Sequence, residues 1–344
     1  MAEISVRVLP SGENQLWGEF MRSAASEDTL FQSPDWLDAS GRSVCTYICT
    51  ENDRIVGGIT VTSRAVLGAA RVVMPPSLTP YMAPVFRQSS RSYTKELSQN
   101  KRIAEALARR LSKDYAGVHL VLCPNQTDVQ PYLVAGYGTD VKYTYVLELG
   151  DLDRLWGCLD GARRNDIRGA SRNGLRAEAA TSTTSLERLL PETIPGNWKQ
   201  ARFRSAFHRY DDLLIRHERR RIVTVKSEAG EVVAAIYMTW DDHTAYYLLG
   251  GSVRDTGAHG ATSLALWEAI QFASEELKLK RFDFEGSMVP QIERFFRKFG
   301  GTLTPYYAPH YLPRWIRAEM SARRVMKRLI GQGGWTHRES ARPH

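Results

Sequence analysis

Ile222-Val223-Thr224-Val225-Lys226, then Glu228-Ala229-Gly230-Glu231, then Val232-Val233-Ala234-Ala235-Ile236-Tyr237-Met238-Thr239-Trp240 is the stretch on which the fold turns. Two runs rich in β-branched and aromatic residues flank a short polar turn, which is the pattern of a β-hairpin. Outward from it come a strand over 244–249 and a helix over 261–277. A buried-looking strand over 281–285, a short helix from Pro290 that ends at Phe299-Gly300-Gly301, and a strand over 302–307 complete the half. The same order stands earlier in the chain. Residues 46–50 and 55–62 form a hairpin around the turn 51–54, followed by an apolar strand and loop over 72–86. An amphipathic helix over 93–115, a strand over 118–123, a short helix ending at Gly136-Tyr137-Gly138 and a strand over 143–149 follow. A period near half the chain length points to duplication. The expected class is α/β with a mixed sheet, in two tandem units; at 344 residues and 43% hydrophobic content, two separate cores are expected.

Composition narrows the function classes. No basic stretch followed by an apolar run opens the chain, and no segment approaches the roughly 18 apolar residues that cross a bilayer, so a cytoplasmic protein is expected. Cys45, Cys49, Cys123 and Cys158 are too few and too irregular for a disulfide framework, and one pair cannot make a structural zinc site; no metal is expected. The net charge of +8 and pI near 9.3 favour phosphate-bearing partners. Basic residues crowd three segments of the second half. They are Arg163, Arg164, Arg168, Arg172 and Arg176; Arg202, Arg204, Arg209, Arg216, Arg219, Arg220 and Arg221; and Arg314, Arg317, Arg323, Arg324, Lys327 and Arg328. Each is either a solvated helix face or a phosphate track.

Five motifs carry a resemblance: Phe31-Gln32-Ser33-Pro34-Asp35-Trp36, Pro80-Tyr81-Met82-Ala83-Pro84-Val85, Arg163-Arg164-Asn165-Asp166-Ile167-Arg168 with Gly174-Leu175, Asp283-Phe284-Glu285-Gly286-Ser287, and Phe295-Phe296-Arg297-Lys298-Phe299-Gly300-Gly301. Together, in this order over about 31–307, the chain resembles the FemAB/FemX superfamily and its tandem GNAT-like acetyltransferase relatives. The resemblance implies a first GNAT-like domain over 1–150 and a second over 151–312 that carries the donor and catalytic site. It implies a transferase that moves an aminoacyl group from aminoacyl-tRNA onto the amine of a peptide-like, cell-wall or natural-product acceptor. No cofactor is then needed. The protein is expected as a monomer or homodimer.

Acyl-CoA-dependent members of the fold hold the pyrophosphate on backbone N–H groups of a Q/R-x-x-G-x-G/A loop at a helix N-terminus. Here Arg254-Asp255-Thr256-Gly257-Ala258-His259-Gly260-Ala261 keeps Arg254 and Gly257, but sets His259 and Asp255 where bulk and negative charge are unwelcome. The departure favours aminoacyl-tRNA, with Arg163, Arg164, Arg168, Arg219, Arg220, Arg221 and Arg254 as phosphate contacts. Acyl-CoA stays the alternative donor, and a catalytically silent adaptor the third hypothesis.

An aminoacyl ester is already activated, so positioning, proton removal and oxyanion stabilisation suffice. Alternation along 281–285 sends Phe282 and Phe284 to one face and Asp283 and Glu285 to the other. A carboxylate of that pair either relays the proton or pins the strand to arginines. Arg297 and Lys298 are the candidates for oxyanion or phosphate contact. The functional Phe-Lys pair of Fem enzymes falls on Phe295 and Phe296, so its lysine is absent and a neighbouring cation must substitute. Tyr246 and Tyr247 border the expected wedge between two splayed strands, one ring in the core and one facing substrate; Trp198 and Arg202 are expected to line the same pocket. Relatives with a nucleotide acceptor carry a lysine where this chain has Ser40, which counts against a UDP-linked acceptor. Residues 313–330 read as a basic amphipathic helix that docks on its own domain or meets a tRNA acceptor stem or an anionic membrane, and 331–344 as a disordered tail.

Overall fold

The computed structural model describes residues 3–10, 13–24, 30–66, 70–87, 92–253, 258–285, 288 and 290–313. The first half runs β1 (Ser5–Val8), α1 (Asn14–Ser23), α2 (Pro34–Ala39), β2 (Ser43–Glu51), β3 (Arg54–Ala65), β4 (Arg71–Val73), β5 (Val85–Phe86), α3 (Tyr93–Asp114), β6 (Gly117–His119), α4 (Gln130–Val134) and β7 (Gly138–Glu148). The second runs α5 (Leu152–Cys158), α6 (Gly161–Arg172), β8 (Arg176–Ala180), α7 (Thr184–Thr193), α8 (Pro195–Trp198), α9 (Ala201–Arg216), β9 (Arg220–Lys226), β10 (Val232–Trp240), β11 (Thr244–Ser252), α10 (Ala261–Glu275), β12 (Arg281–Asp283), α11 (Pro290–Arg297) and β13 (Thr302–Tyr311). Every repeated element expected from the sequence is present in order. The elements that periodicity did not yield are β1, β8 and the helices that precede each hairpin.

Local chemistry explains several boundaries. The Ser33 side chain accepts from the Trp36 N–H and Pro34 fills the first turn, so α2 starts there. Asn52 and Asp53 take positive φ (49° and 60°) in the β2–β3 turn, a conformation that short polar side chains tolerate. α10 buries residues on nearly every side, among them Leu264, Leu266, Trp267 and Ile270, as an apolar helix between layers must. Its start needs Gly260: φ is 82°, and a Cβ there would collide with the Asp166 carbonyl of α6.

The strands form one continuous sheet in the order β1-β2-β3-β4-β6-β13-β7-β12-β11-β10-β9-β8, with β5 on β3. β4 with β6 and β11 with β12 are the two parallel pairs, one in each half, which makes the sheet mixed. Two separate cores were expected from the sequence, and here the structure differs. The halves exchange their final strands: β13 pairs antiparallel to β6 and β7, while β7 pairs with β12. One apolar cluster accordingly joins Phe31, Trp36 and Tyr81 of the first half to Phe207, Tyr237 and Tyr246 of the second, and the other joins Tyr145 and Leu147 to α10. Final strands that lend their edges to the opposite half leave no unpaired seam between the repeats.

The two central strands have unlike faces. Lys142, Thr144, Thr304 and Tyr306 share one face by register, and Val141, Tyr143, Tyr145, Leu303 and Pro305 share the other. Among the described residues no helix is long and apolar enough to cross a membrane.

Candidate functional site

β11 and β12 stay paired for three positions, Thr244 with Arg281, Ala245 with Phe282 and Tyr246 with Asp283, after which β12 ends and β11 continues. The separation opens a wedge in the second half. In the first half the corresponding space beyond β4 and β6 is crossed by Tyr81, Met82 and Ala83, all buried, with Met82 bridged to Val121.

Asp283 lies at the end of β12, 2% exposed. Its carboxylate accepts from Tyr81 Oη at 2.6 Å, from Thr144 Oγ1 at 2.5 Å and from the Glu285 N–H at 2.8 Å. The Tyr81 bond ties the first half to β12 of the second. Strand alternation does not carry on to Glu285 as the sequence suggested. The backbone turns left-handed there, with φ 53°, and that conformation is costly for a residue with a Cβ. The turn aims Glu285 into a cleft of about 400 Å³ lined also by Met74, Pro75, Thr79, His119, Lys142 and Tyr306. Glu285 Oε1 is shielded from solvent and has no hydrogen-bond partner among the described residues. Burial, reinforced by the nearby Asp283, holds this carboxyl well above the usual carboxylate range.

The rest of the cleft is tuned by the same burial. The His119 imidazole is pushed down to about 4 by desolvation, helped by Lys142 and His310, and so stays neutral at physiological pH. Burial also lowers Lys142, and raises Tyr306 to about 12 with Asp283 and Glu285 adding to the effect. Beyond Met74 and Pro75 lies a cationic rim. The Arg42 guanidinium donates to both of their carbonyls at 3.3 Å, and its pKa is lowered by burial and then by Arg64 and Arg202. Arg209 is fixed nearby on the carbonyls of Ala39 (2.6 Å) and Ser40 (2.9 Å).

Of the residues singled out from sequence, the structure brings Asp283, Glu285, Tyr247 and Phe296 together. Tyr247 packs edge-on against Phe296 at 5.2 Å, and its pKa is raised by burial and by Glu285. Phe296 also packs 5.3 Å from Phe284, so the position of the missing Fem lysine is a core ring. The cation beside it is Arg163, which lies 4.9 Å over Phe295. Tyr246 is the core member of its pair, edge-on to Phe31 at 4.8 Å and donating to Asp241 at 2.8 Å. Trp198 and Arg202 are not beside Tyr247. Trp198 packs edge-on against Phe203 and Phe207, because α8 turns directly into α9, and Arg202 bonds Gln200 and faces Arg42. Arg297 pairs with Glu293 at 3.7 Å on an exposed side of α11, the Lys298 carbonyl accepts from the Asp160 N–H, and neither residue lines the cleft.

The arginines divide. Arg163 bonds Ser263 (2.7 Å) and Asp166 (3.0 Å), Arg220 bonds Asp211 (3.2 Å) and the Thr181 carbonyl (2.6 Å), and Arg221 stacks 4.0 Å over Phe272. Arg164 reaches the Gly157 carbonyl at 3.1 Å, Arg168 lies 5.3 Å over Trp156, and Arg219 pairs with the exposed Asp242. Arg254, Gly257 and residues 314–344 lie outside the described residues. Sequence reasoning missed Tyr81, Thr144, His119, Lys142, Tyr306 and Arg42. Tyr81 lay inside a quoted motif, and His119 and Lys142 are polar interruptions in otherwise β-rich runs.

Residues 161–297 match the family described as an acetyltransferase (GNAT) domain. No curated protein matches the chain. The solved structure of FemX is similar over 91% of this chain and 99% of its own, at 13% identity and a TM-score of 0.66. A tandem GNAT protein from the clavulanic acid biosynthesis pathway is similar over 90% and 98%, at 11% identity and 0.53. L-PGS from Bacillus licheniformis is similar over 92% and 96%, at 15% identity and 0.52. With an exchanged final strand in each half, a wedge in the second and a GNAT domain match across that wedge, the chain has a tandem GNAT-type fold similar to that of FemX.

Proposed function

We propose that the protein transfers an aminoacyl group from aminoacyl-tRNA to the amine of an acceptor held between the halves, with Glu285 as the proton acceptor. The observation that carries this reading is the buried Glu285 Oε1, without a partner among the described residues, held at a left-handed turn beside the wedge and facing a cleft of substrate size. The amine nitrogen attacks the ester carbonyl and the new C–N bond forms. Its proton passes to the Glu285 carboxylate, and the ester C–O bond breaks with that proton returned to the ribose oxygen. A carboxyl raised by burial is a better-matched base for an amine than a solvated one. Asp283 positions it through the Glu285 N–H.

Two features support tRNA as donor. Resemblance to Fem enzymes is one. The other is the first turn of α10, where the Asp166 carboxylate, paired with Arg163 and His259 at 3.0 Å, places negative charge beside a helix N-terminus that would otherwise suit a pyrophosphate. For the acceptor, Arg42, Arg64 and Arg202 beyond the Met74–Pro75 rim supply the cations that Ser40 does not, and with Lys142 they suit an acceptor that bears an anionic group. Arg297 and Lys298 are proposed as donor phosphate contacts on the outer side of α11. The acetyltransferase domain match favours acyl-CoA as the second reading.

The test incubates the protein with a charged tRNA pool or acetyl-CoA and a panel of anionic amines, followed by mass spectrometry. Amino acid should leave the tRNA onto an amine. Glu285→Gln should lower turnover by about 10²- to 10⁴-fold while charged tRNA still binds. Micromolar acetyl-CoA binding with no transfer from tRNA would replace this reading by the second.

A further inference from the structure

One wall of the Glu285 cleft carries polar groups with nothing to bond. Lys142, Tyr306 and His119 all line the cleft, and none of the three makes a side-chain hydrogen bond or ion pair among the described residues. Around them the polar groups are paired. Thr144 and Tyr81 donate to Asp283, and Thr79 Oγ1 accepts from the Trp36 ring N–H at 2.9 Å. Polar side chains that converge on a cavity and find no partner in the protein are the usual mark of a ligand's polar end.

The sheet brings the three together. Lys142 of β7 stands opposite Tyr306 of β13, where paired side chains lie about 5 Å apart at Cβ. His119 joins the wall from β6, on the other side of β13, near enough for the Lys142 charge to act on its imidazole. The acid next along this face, Asp140, is 64% exposed in its side chain and sits 3.5 Å from His310 Nδ1; its pull on Lys142 is outweighed by burial. The Lys142 ammonium, the protonated Tyr306 hydroxyl and the N–H of a neutral His119 ring can then all donate to one ligand. One positive charge with two neutral donors matches a single carboxylate better than a phosphate. Thr144, which anchors Asp283 beside Glu285, and Lys142 are two residues apart on β7, about 7 Å at about 3.4 Å per residue. A peptide of two residues spans that length, at about 3.3–3.6 Å per residue.

We propose that Lys142, Tyr306 and His119 form a carboxylate subsite, which selects acceptors whose free carboxylate lies about 7 Å from the reacting amine, as in a dipeptide. The inference rests on Glu285 receiving the amine in the reading above. Its test measures binding alone, by calorimetric titration of the full chain with glycylglycine, glycylglycinamide and inorganic phosphate. Loss of a charge-assisted contact should make the amide bind about 10- to 100-fold more weakly than the peptide. Lys142→Met should bring the peptide down to the level of the amide and leave the amide unchanged, whereas Lys142→Arg should keep the preference for the carboxylate. Tyr306→Phe should weaken the peptide several-fold. Equal binding of peptide and amide by the unsubstituted chain, or binding of neither, overturns the proposal without recourse to any variant. So does phosphate that displaces glycylglycine at equal concentration, which would make the wall a phosphate site. The two readings fail separately. A chain that binds glycylglycine as described but accepts nothing from charged tRNA refutes the transfer reading and leaves the subsite standing. Transfer that proceeds as well onto glycylglycinamide as onto glycylglycine refutes the subsite and leaves the transfer reading standing.

Discussion

Replacing Asp283 by alanine is the sharpest probe of how the halves are joined. The substitution strips the acceptor from Tyr81 Oη, Thr144 Oγ1 and the Glu285 N–H, all in a place where Asp283 is 2% exposed. A hydrogen bond to a charged group contributes about 1.5–3 kcal/mol, and a buried donor left without a partner costs about 1–3 kcal/mol. The three do not add, because they share one carboxylate and the hydroxyls can rotate. The expected loss is about 3–5 kcal/mol, the range for breaking a buried charged network. Tyr81→Phe alone removes one donor and should cost about 1.5–3 kcal/mol. In the Asp283→Ala background it should cost almost nothing, since the hydroxyl it deletes is already stranded. Urea unfolding of the two single variants and the double variant gives the coupling directly. A loss below about 1 kcal/mol for Asp283→Ala, or strict additivity with Tyr81→Phe, would refute the argument that this carboxylate ties the halves together.

His119, held down to about 4 against an unfolded value near 6.5, carries a penalty that is absent above pH 6.5 and grows as pH falls towards 4. It should reach about 3 kcal/mol at 1.36 kcal/mol per unit, and His119→Asn should flatten that part of the stability profile while NMR places the imidazole titration near 4. The arginines should separate by assay. Arg164→Ala and Arg168→Ala should each flatten the log–log salt dependence of tRNA binding by about 0.7–0.9. Arg221→Ala should instead lower stability by about 1–2 kcal/mol, because its guanidinium stacks on Phe272.

Local periodicity determined much of this protein. The hairpins, the long helices, the short helix before Gly300 and the repeat itself are set by neighbours within a few residues, so they were legible before any coordinates. The strands that carry Asp283 and Tyr247 were legible too, Asp283 falling at the end of β12 and Tyr247 within β11. The order of strands was not. Which half receives β7 and β13 depends on pairing across more than a hundred residues, and alternation along a strand carries no address for its partner. The same limit hid the site. Glu285 leaves the strand pattern because its backbone turns left-handed, Tyr81 reaches Asp283 across the join, and His119 and Lys142 owe their lowered pKa values to burial that only the assembled sheet creates. The arginine clusters show it in reverse. Sequence proximity made Arg219, Arg220 and Arg221 one patch, whereas side-chain direction gave them an exposed aspartate, a half-buried aspartate and the face of Phe272. Charge density is a property of the chain, but which charges remain available to a partner is decided by what the fold places against them.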